Sequence, residues 1–260
     1  MSGPRTATRP RVRRAGLCGL LLAALVTAGC TPAQFQAWWT GRGNAPLSEP
    51  ELSRAAEGAA RFWAEVARRG RFEFGVRPID AALADRMTPS SWRPGCPVPL
   101  SSLRYVQVSH MGMDGRERTG ELVVHRDVAD AVVMAFKLMW DDGFRIERMR
   151  LVDDYGGDDD ASMAANNSSA FNCRAVAGTS TWSQHSYGRA IDLNPVQNPY
   201  VAGSTVSPPA GRAYLDRGSV RPGMIVRNGP AHSAFRRIGW GWGGDWSSSK
   251  DYQHVSANGR

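Results

Sequence analysis

Residues 104–125 contain the sequence pattern that most restricts the possible folds. They read RYVQVSHMGMDGRERTGELVVH, with two runs of strand-forming residues on either side of Met113, Asp114 and Gly115. An Asp-Gly turn between two such runs predicts a β-hairpin, because these residues tolerate the backbone angles of a tight turn. We therefore expect a sheet whose strands are at least partly antiparallel.

A helix and a further strand are predicted directly after this hairpin. The segment DVADAVVMAFKLMWDDG has apolar residues at helical spacing, with Asp127 as the expected N-cap and Gly143 as the expected end. FRIERMRLV, residues 144–152, then predicts a strand. This order of elements predicts an α+β fold, in which a small, partly antiparallel sheet has flanking helices.

The first 29 residues have the plan of an export signal. Five arginines precede an apolar run from Leu17 to Val26, which is too short to span a bilayer. The AGC sequence that ends at Cys30 resembles the end of a bacterial lipoprotein box, in which the cysteine becomes lipidated. We therefore expect an exported protein, either a membrane lipoprotein anchored at Cys30 or a protein secreted to the cell wall.

Composition divides the rest of the chain into three parts. Residues 30–47 contain Gly, Pro and Thr without apolar periodicity, which predicts a flexible tether. Residues 48–89 are expected to form an N-terminal helical region, because Ser48 and Glu51 have the spacing of a capping box. Residues 90–260 remain for the main domain.

The charge of the exported body gives little support for nucleic-acid binding. The full chain has a formal net charge of +8, but the five arginines of the signal are balanced by no acidic residue. From residue 30 onward, 27 basic residues face 24 acidic ones, a net charge of +3. We therefore expect no nucleic-acid partner, and we expect a monomer.

Two cysteines remain in the exported body. Of the four in the chain, Cys18 lies in the signal and Cys30 at its end, which leaves Cys96 and Cys173. In an oxidising compartment, a disulfide between them is the default expectation. The alternative is two separate buried thiols.

The loop SQHSYGRAID, residues 183–192, contains a candidate metal site. His185 and Asp192 are side chains that zinc accepts as ligands, and Gly188 allows a turn that brings both to one ion. A third ligand can come from His254, and Asp251, three residues earlier, would lie beside the metal as a general base. The alternative interpretation is a loop histidine held by ordinary hydrogen bonds.

Other polar and aromatic clusters are expected to be structural. His110, His125 and His232 are isolated in the sequence, so we expect surface or packing roles for them. The acidic stretch from Asp153 to Asp160 lacks the ligand spacing of a calcium loop and is expected to be solvated. A run with three tryptophans is expected to pack in the core rather than bind sugars, and comprises Trp240, Trp242 and Trp246.

Two of these motifs resemble a known family. SQHSYGRAID resembles the S-x-H-x-x-G-x-A-x-D signature of the zinc D-alanyl-D-alanine peptidases. That group contains vancomycin-resistance-type dipeptidases and carboxypeptidases, and the L-alanyl-D-glutamate endopeptidases of phage and bacilli. DYQH, residues 251–254, resembles its closing motif, and NPVQNPYV and IGWGWGGDW resemble the carboxypeptidase and endopeptidase branch. The similarity spans roughly residues 90–256.

The resemblance implies a role for each matching residue. It implies the zinc peptidase fold of this family, with zinc on His185, Asp192 and His254, and with Asp251 as the catalytic base. It also implies that Arg174 binds the substrate and stabilises the oxyanion. Ser183 either positions ligand or substrate, or is simply a turn hydroxyl.

Two departures from the family pattern affect these expectations. The dipeptidases have Glu where Asp251 stands, which puts dipeptidase activity in doubt. Val255 replaces the aromatic residue expected after the last histidine, a change that leaves zinc binding intact.

The resemblance implies that residues 90–260 form an exported zinc metallopeptidase domain. Its expected substrate is a stem peptide of peptidoglycan, and its expected activity is that of a D-alanyl-D-alanine carboxypeptidase. One alternative is an L-alanyl-D-glutamate-type endopeptidase. The other is a zinc-containing lipoprotein that binds the cell wall without catalysis.

Overall fold

The predicted hairpin forms the centre of a three-stranded antiparallel sheet. The structure is a computed structural model that describes residues 71–260. Strand β2 (Leu103–Met111) pairs with β3 (Glu117–His125) over its whole length, which confirms the hairpin. The other edge of β2 pairs with β1 (Phe74–Pro78), so the strand order is β1-β2-β3.

Strand β1 and helix α1 (Ala81–Met87) lie within the range predicted as a helical region. Because β1 is hydrogen-bonded along β2, the sheet includes residues before the boundary predicted at residue 90. The export signal at 1–29, the tether at 30–47 and the helix predicted after residue 48 lie outside the described residues.

The predicted helix after the hairpin is present as α2 (Ala129–Asp141), but its N-cap is Val128 rather than the predicted Asp127, and no side chain caps it. Its buried face packs on the β2–β3 sheet, together with helix α4 (Pro230–Arg237). The Phe136 and Phe235 rings of these two helices meet edge to face, with centroids 6.3 Å apart. Gly143 adopts a positive φ just past the helix, which accounts for its end at this glycine.

The opposite face of the hairpin buries a second, smaller apolar cluster. Leu103, Tyr105 and Val123 alternate with the residues that face α2, so both sides of the sheet are covered. The cluster includes Cys173, which forms the predicted disulfide with Cys96.

The strand predicted over residues 144–152 is much shorter in the structure. Only β4 (Arg148–Met149) forms a strand, with β5 (Asn167–Ser168) as its parallel partner, and Arg145 adds a single bridge to Met111. The acidic stretch after it is also more ordered than a solvated loop. The Asp158 carboxylate accepts a hydrogen bond from the Ala161 amide and thereby caps α3 (Asp159–Ala164).

Six short strands in the C-terminal half complete the fold. One antiparallel sheet has the order β6-β11-β9, formed by Ala190–Asp192, His254–Ser256 and Gly241–Trp242. Another has the order β10-β7-β8, formed by Lys250–Asp251, Tyr200–Ala202 and Thr205–Ser207. The predicted α+β class with small antiparallel sheets is confirmed.

Within residues 71–260, no helix combines the length and apolar character that crossing a membrane requires.

We expect the Cys96–Cys173 disulfide to contribute strongly to stability. It joins residues 77 apart, for which the chain-entropy model gives about 4.5 kcal/mol. Replacing both cysteines by alanine should lower the free energy of unfolding by up to about that amount in urea titrations. Dithiothreitol should destabilise the wild type and leave the double variant unchanged; equal sensitivity of both proteins would contradict the prediction.

Candidate metal centre

A single turn of 3-10 helix presents the first candidate ligand. Residues Gln184–Tyr187 form this turn, and the Ser183 hydroxyl caps it by accepting a hydrogen bond from the His185 amide. Gly188 ends the turn with a φ of 65°, and a Cβ on it would lie 2.6 Å from the His125 amide nitrogen. Only glycine fits this position, so the glycine in the motif is required by both its backbone angle and its surroundings.

The other two candidate ligands are direct neighbours on paired strands. Asp192 ends β6 and His254 begins β11, and the two residues are opposite each other in the antiparallel register. Side chains at such positions project from the same face of a sheet and approach within contact distance. The strand pairing therefore closes a separation of 62 residues in the sequence.

The structure brings all three predicted ligands together in one buried cluster. His254 Nδ1 lies 3.0 Å from Asp192 Oδ1, and His185 Nε2 lies 3.3 Å from Asp192 Oδ2. The two facing ring nitrogens are 3.2 Å apart. Each of the three residues is less than 7% exposed, and their ligand atoms lie within 4.8 Å of one another.

Backbone carbonyls fix the tautomers of His185 and His254, so that the ring nitrogen facing the cluster carries no proton. His185 Nδ1 lies 2.6 Å from the Ala170 carbonyl oxygen, and His254 Nε2 lies 3.3 Å from that of Arg260. A carbonyl oxygen only accepts, so each of these outer nitrogens carries a proton. In the neutral rings, the inner nitrogens are then unprotonated, and two lone pairs and a carboxylate converge on one point.

The electrostatics of the cluster favour a positive charge at its centre. Burial alone would raise the pKa of Asp192, but the adjacent His185 and His254 rings lower it below its usual value. Burial likewise opposes protonation of His254, yet its hydrogen bond to Asp192 raises the pKa of that ring. Convergent acceptors that attract a proton in this way also attract a metal cation.

The donor set fits zinc. Two imidazole nitrogens and one carboxylate are typical of catalytic zinc sites, which keep a further position open. Donors about 2.0–2.1 Å from a tetrahedral zinc are separated by about 3.3 Å, close to the separations observed here. The carbonyls of Ala170 and Arg260 supply the outer hydrogen bonds that usually orient metal-binding histidines.

Asp251 lies beside this cluster, as its spacing from His254 predicts. It belongs to β10, and Gly243 lets the neighbouring chain approach, since a Cβ there would lie 2.5 Å from the Asp251 carbonyl oxygen. Its Oδ1 is buried and has no hydrogen-bond partner among the described residues. Burial, and then repulsion by Asp192, raise the pKa of Asp251 to about 7, a value suited to a general base at neutral pH.

Arg174 is attached to the ligand loop, but its guanidinium is engaged by another residue. Its amide donates to the Ser186 hydroxyl over 2.9 Å, and its carbonyl accepts from the Ser183 amide over 3.1 Å. Its Nη2 forms a 2.7 Å ion pair with Asp159, which the sequence did not single out. Its Nε is buried and has no partner within residues 71–260.

The remaining residues singled out in the sequence cap a turn or pack outside the cluster. The Ser183 hydroxyl acts as a turn cap that shapes the His185 loop. The other histidines are buried outside the cluster, namely His110, His125 and His232. Trp240 and Trp242 lie in the core as predicted, whereas Trp246 is partly exposed, with its ring 5.6 Å from that of His254.

The part of the chain that carries this cluster has a recognisable family relationship. Residues 177–257 match the D-alanyl-D-alanine carboxypeptidase family model. The resemblance inferred from the two motifs is thereby confirmed, and the match supports a peptidase. The matched segment is shorter than the 90–256 range predicted, and Arg174 lies just before it. No curated protein and no solved structure matches the chain significantly.

Sequence reasoning missed the groups that orient the ligands. The Ala170 and Arg260 carbonyls are backbone atoms, so no residue type marks them in advance. Asp159 is one of five aspartates in the acidic stretch, and the sequence does not distinguish it from the other four. Gln253 could have been noticed as a polar residue between Asp251 and His254, and it is almost completely buried.

We expect the purified chain to bind one zinc ion that a chelator removes. His185→Ala, Asp192→Asn and His254→Ala should each lower the zinc content markedly, because each change removes or weakens one of three ligands. His125→Gln serves as the matched control, since His125 is a buried histidine outside the cluster. Metal analysis that finds the same zinc content in the ligand variants as in the control would contradict the assignment.

Proposed function

We propose that this chain is an exported zinc metallopeptidase that hydrolyses peptide bonds in the stem peptides of peptidoglycan. The activity proposed is that of a D-alanyl-D-alanine carboxypeptidase. The main support is the convergence of the ligand atoms of His185, Asp192 and His254 beside the buried carboxylate of Asp251. A hydrogen-bonded loop would not need three acceptors facing one point.

Zinc, when bound by these residues, would polarise a carbonyl group and make water nucleophilic at neutral pH. The side chains themselves would then have separate tasks. His185 and His254 are oriented by carbonyls, so their inner nitrogens remain directed at the same point. Asp192 contributes the negative charge that a divalent cation needs.

Asp251 is proposed to act as the general acid and base. Its carboxylate would accept a proton from the attacking water and later donate it to the nitrogen of the departing amine. Its unpartnered Oδ1 is available for this transfer, because no described residue hydrogen-bonds to it. A raised pKa makes both the gain and the loss of the proton feasible near neutral pH.

Arg174 is proposed to bind the substrate and stabilise the negative oxygen that develops during the reaction. A guanidinium keeps its charge at all physiological pH values and presents donors in a fixed plane. Its buried Nε is a free donor among the described atoms. The attachment of its main chain to Ser183 and Ser186 keeps it close to the His185 turn.

The proposed location is outside the cytoplasmic membrane, where peptidoglycan stem peptides occur. The support is the plan of residues 1–29 and the Cys96–Cys173 disulfide, which forms in oxidising compartments. We propose that the chain acts as a monomer, either anchored through a lipid on Cys30 or released to the wall.

Defined muropeptides test the activity directly. The zinc-loaded protein should remove one terminal D-alanine from a pentapeptide stem, which mass spectrometry detects as a product with one D-alanine less. A cut between L-alanine and D-glutamate would instead identify an endopeptidase. Binding without any change in mass would identify a wall-binding protein and contradict the proposal.

Asp251→Asn should keep zinc and the fold but lower kcat by about a hundred- to ten-thousandfold, the usual worth of general acid and base assistance. The amide has nearly the same shape as the carboxylate but cannot accept the proton. Asp141→Asn is the control, because Asp141 pairs with Lys137 on the surface of α2. A fully metallated Asp251→Asn protein with wild-type turnover would remove Asp251 from the mechanism.

A further inference from the structure

Helix α3 touches both sides of the candidate site. At its start, the Asp159 carboxylate forms the 2.7 Å ion pair with Arg174 Nη2. One turn later, Met163 Sδ lies 3.3 Å from the Nε2 of Gln253, the residue immediately before His254. Residues four apart in a helix share a face and are separated by about 6 Å along its axis.

This arrangement links the guanidinium of Arg174, through one helical turn, to the segment that carries Asp251 and His254. Arg174 and Gln253 both contact the same face of one helical turn, so they lie along one wall of the site. The side chain of Asn172 also contacts the segment just before α3, because its Nδ2 donates to the Gly157 carbonyl. Helix α3 therefore contacts both Arg174 and the segment that contains Asp251 and His254.

The polar atoms along this wall are unusually short of partners. Of the five buried side-chain atoms without a hydrogen bond among the described residues, three belong to Arg174, Asp251 and Gln253, namely Arg174 Nε, Asp251 Oδ1 and Gln253 Oε1. Buried polar groups are normally paired, so these three atoms are candidates for hydrogen bonds to a polar ligand. A peptide supplies both the acceptors and the donors that such a wall lacks.

Arg174 needs a partner to keep its side chain in one orientation. Its main chain is held by Ser183, Ser186 and the adjacent disulfide at Cys173, but a long arginine side chain retains several rotatable bonds. The ion pair with Asp159 uses Nη2, so Nε remains available as a donor. A charge-assisted hydrogen bond of this length is among the stronger ones in proteins.

We propose that Asp159 is a positioning residue, which holds the Arg174 guanidinium so that its Nε–H donates to an oxygen of the peptide substrate. This inference rests on the function proposed above and identifies Asp159 as a determinant of substrate binding at that site. Asp159 acts only through Arg174 and has no direct contact with the reacting atoms.

The kinetic test compares two adjacent aspartates of the same helical turn. Asp159→Ala should lower kcat/KM for the pentapeptide by about ten- to a hundredfold with unchanged zinc content, the worth of one charge-assisted hydrogen bond. Asp160→Ala should remain within about twofold, although it removes the same charge from the start of α3. Asp159→Glu should recover part of the loss. Equal effects of the two alanine variants would overturn the proposal.

A double-mutant cycle separates positioning from a general structural role. In an Arg174→Ala background, Asp159→Ala should have almost no further effect on kcat/KM, because the residue through which it acts is gone. Additive losses would show that Asp159 supports the helix rather than Arg174, and would overturn the proposal.

A nuclear magnetic resonance measurement tests the positioning without any substrate. The Nε–H signal of Arg174, assigned by its disappearance in Arg174→Lys, should be sharp and slow to exchange in the zinc-loaded wild type and in Asp160→Ala. It should broaden or exchange rapidly in Asp159→Ala. An unchanged signal in Asp159→Ala overturns the positioning role even if the peptidase activity is confirmed. The expected change supports that role even if the proposed substrate is wrong.

Discussion

The buried carboxylate of Asp192 is the interaction on which the candidate site depends. An ionised carboxylate away from water is unfavourable unless it is paired, and here both oxygens contact imidazole rings. Those rings are in turn held by the Ala170 and Arg260 carbonyls. The result is a cluster of converging acceptors, an arrangement that attracts a proton or a metal cation.

The central hairpin supports this cluster through the outer edge of β3. The Val123 carbonyl accepts from the Phe171 amide over 3.1 Å, and the His125 amide donates to the Gly188 carbonyl over 2.8 Å. The first bond fixes the segment that orients His185, and the second fixes the turn that presents it. The apolar packing on both faces of the hairpin therefore stabilises the positions of polar atoms that lie beyond its edge.

Polar groups of both signs lie on the segments that contact α3. Asp251 offers a carboxylate oxygen and Arg174 a guanidinium donor, and each has an atom that no described residue satisfies. Hydrolysis of a peptide needs both kinds of group, because a proton is moved while negative charge develops on an oxygen. In the proposed function, the cluster holds the zinc ion, Asp251 transfers the proton and Arg174 binds the substrate.

The sequence by itself determined the central hairpin, the helix after it and the candidate ligands. Alternation and turn residues predicted the β2–β3 hairpin, helical spacing predicted α2, and the motif residues His185, Asp192 and His254 pointed to zinc, because these signals depend on neighbours along the chain. The tertiary structure decided the features that depend on residues distant in the sequence, such as strand register and strand length. The β6–β11 register brings Asp192 opposite His254, and β4 is shorter than predicted because only β5 pairs with it. The pairing of Asp159 with Arg174, and the carbonyls that orient the rings, arise from chain folding that no local pattern encodes.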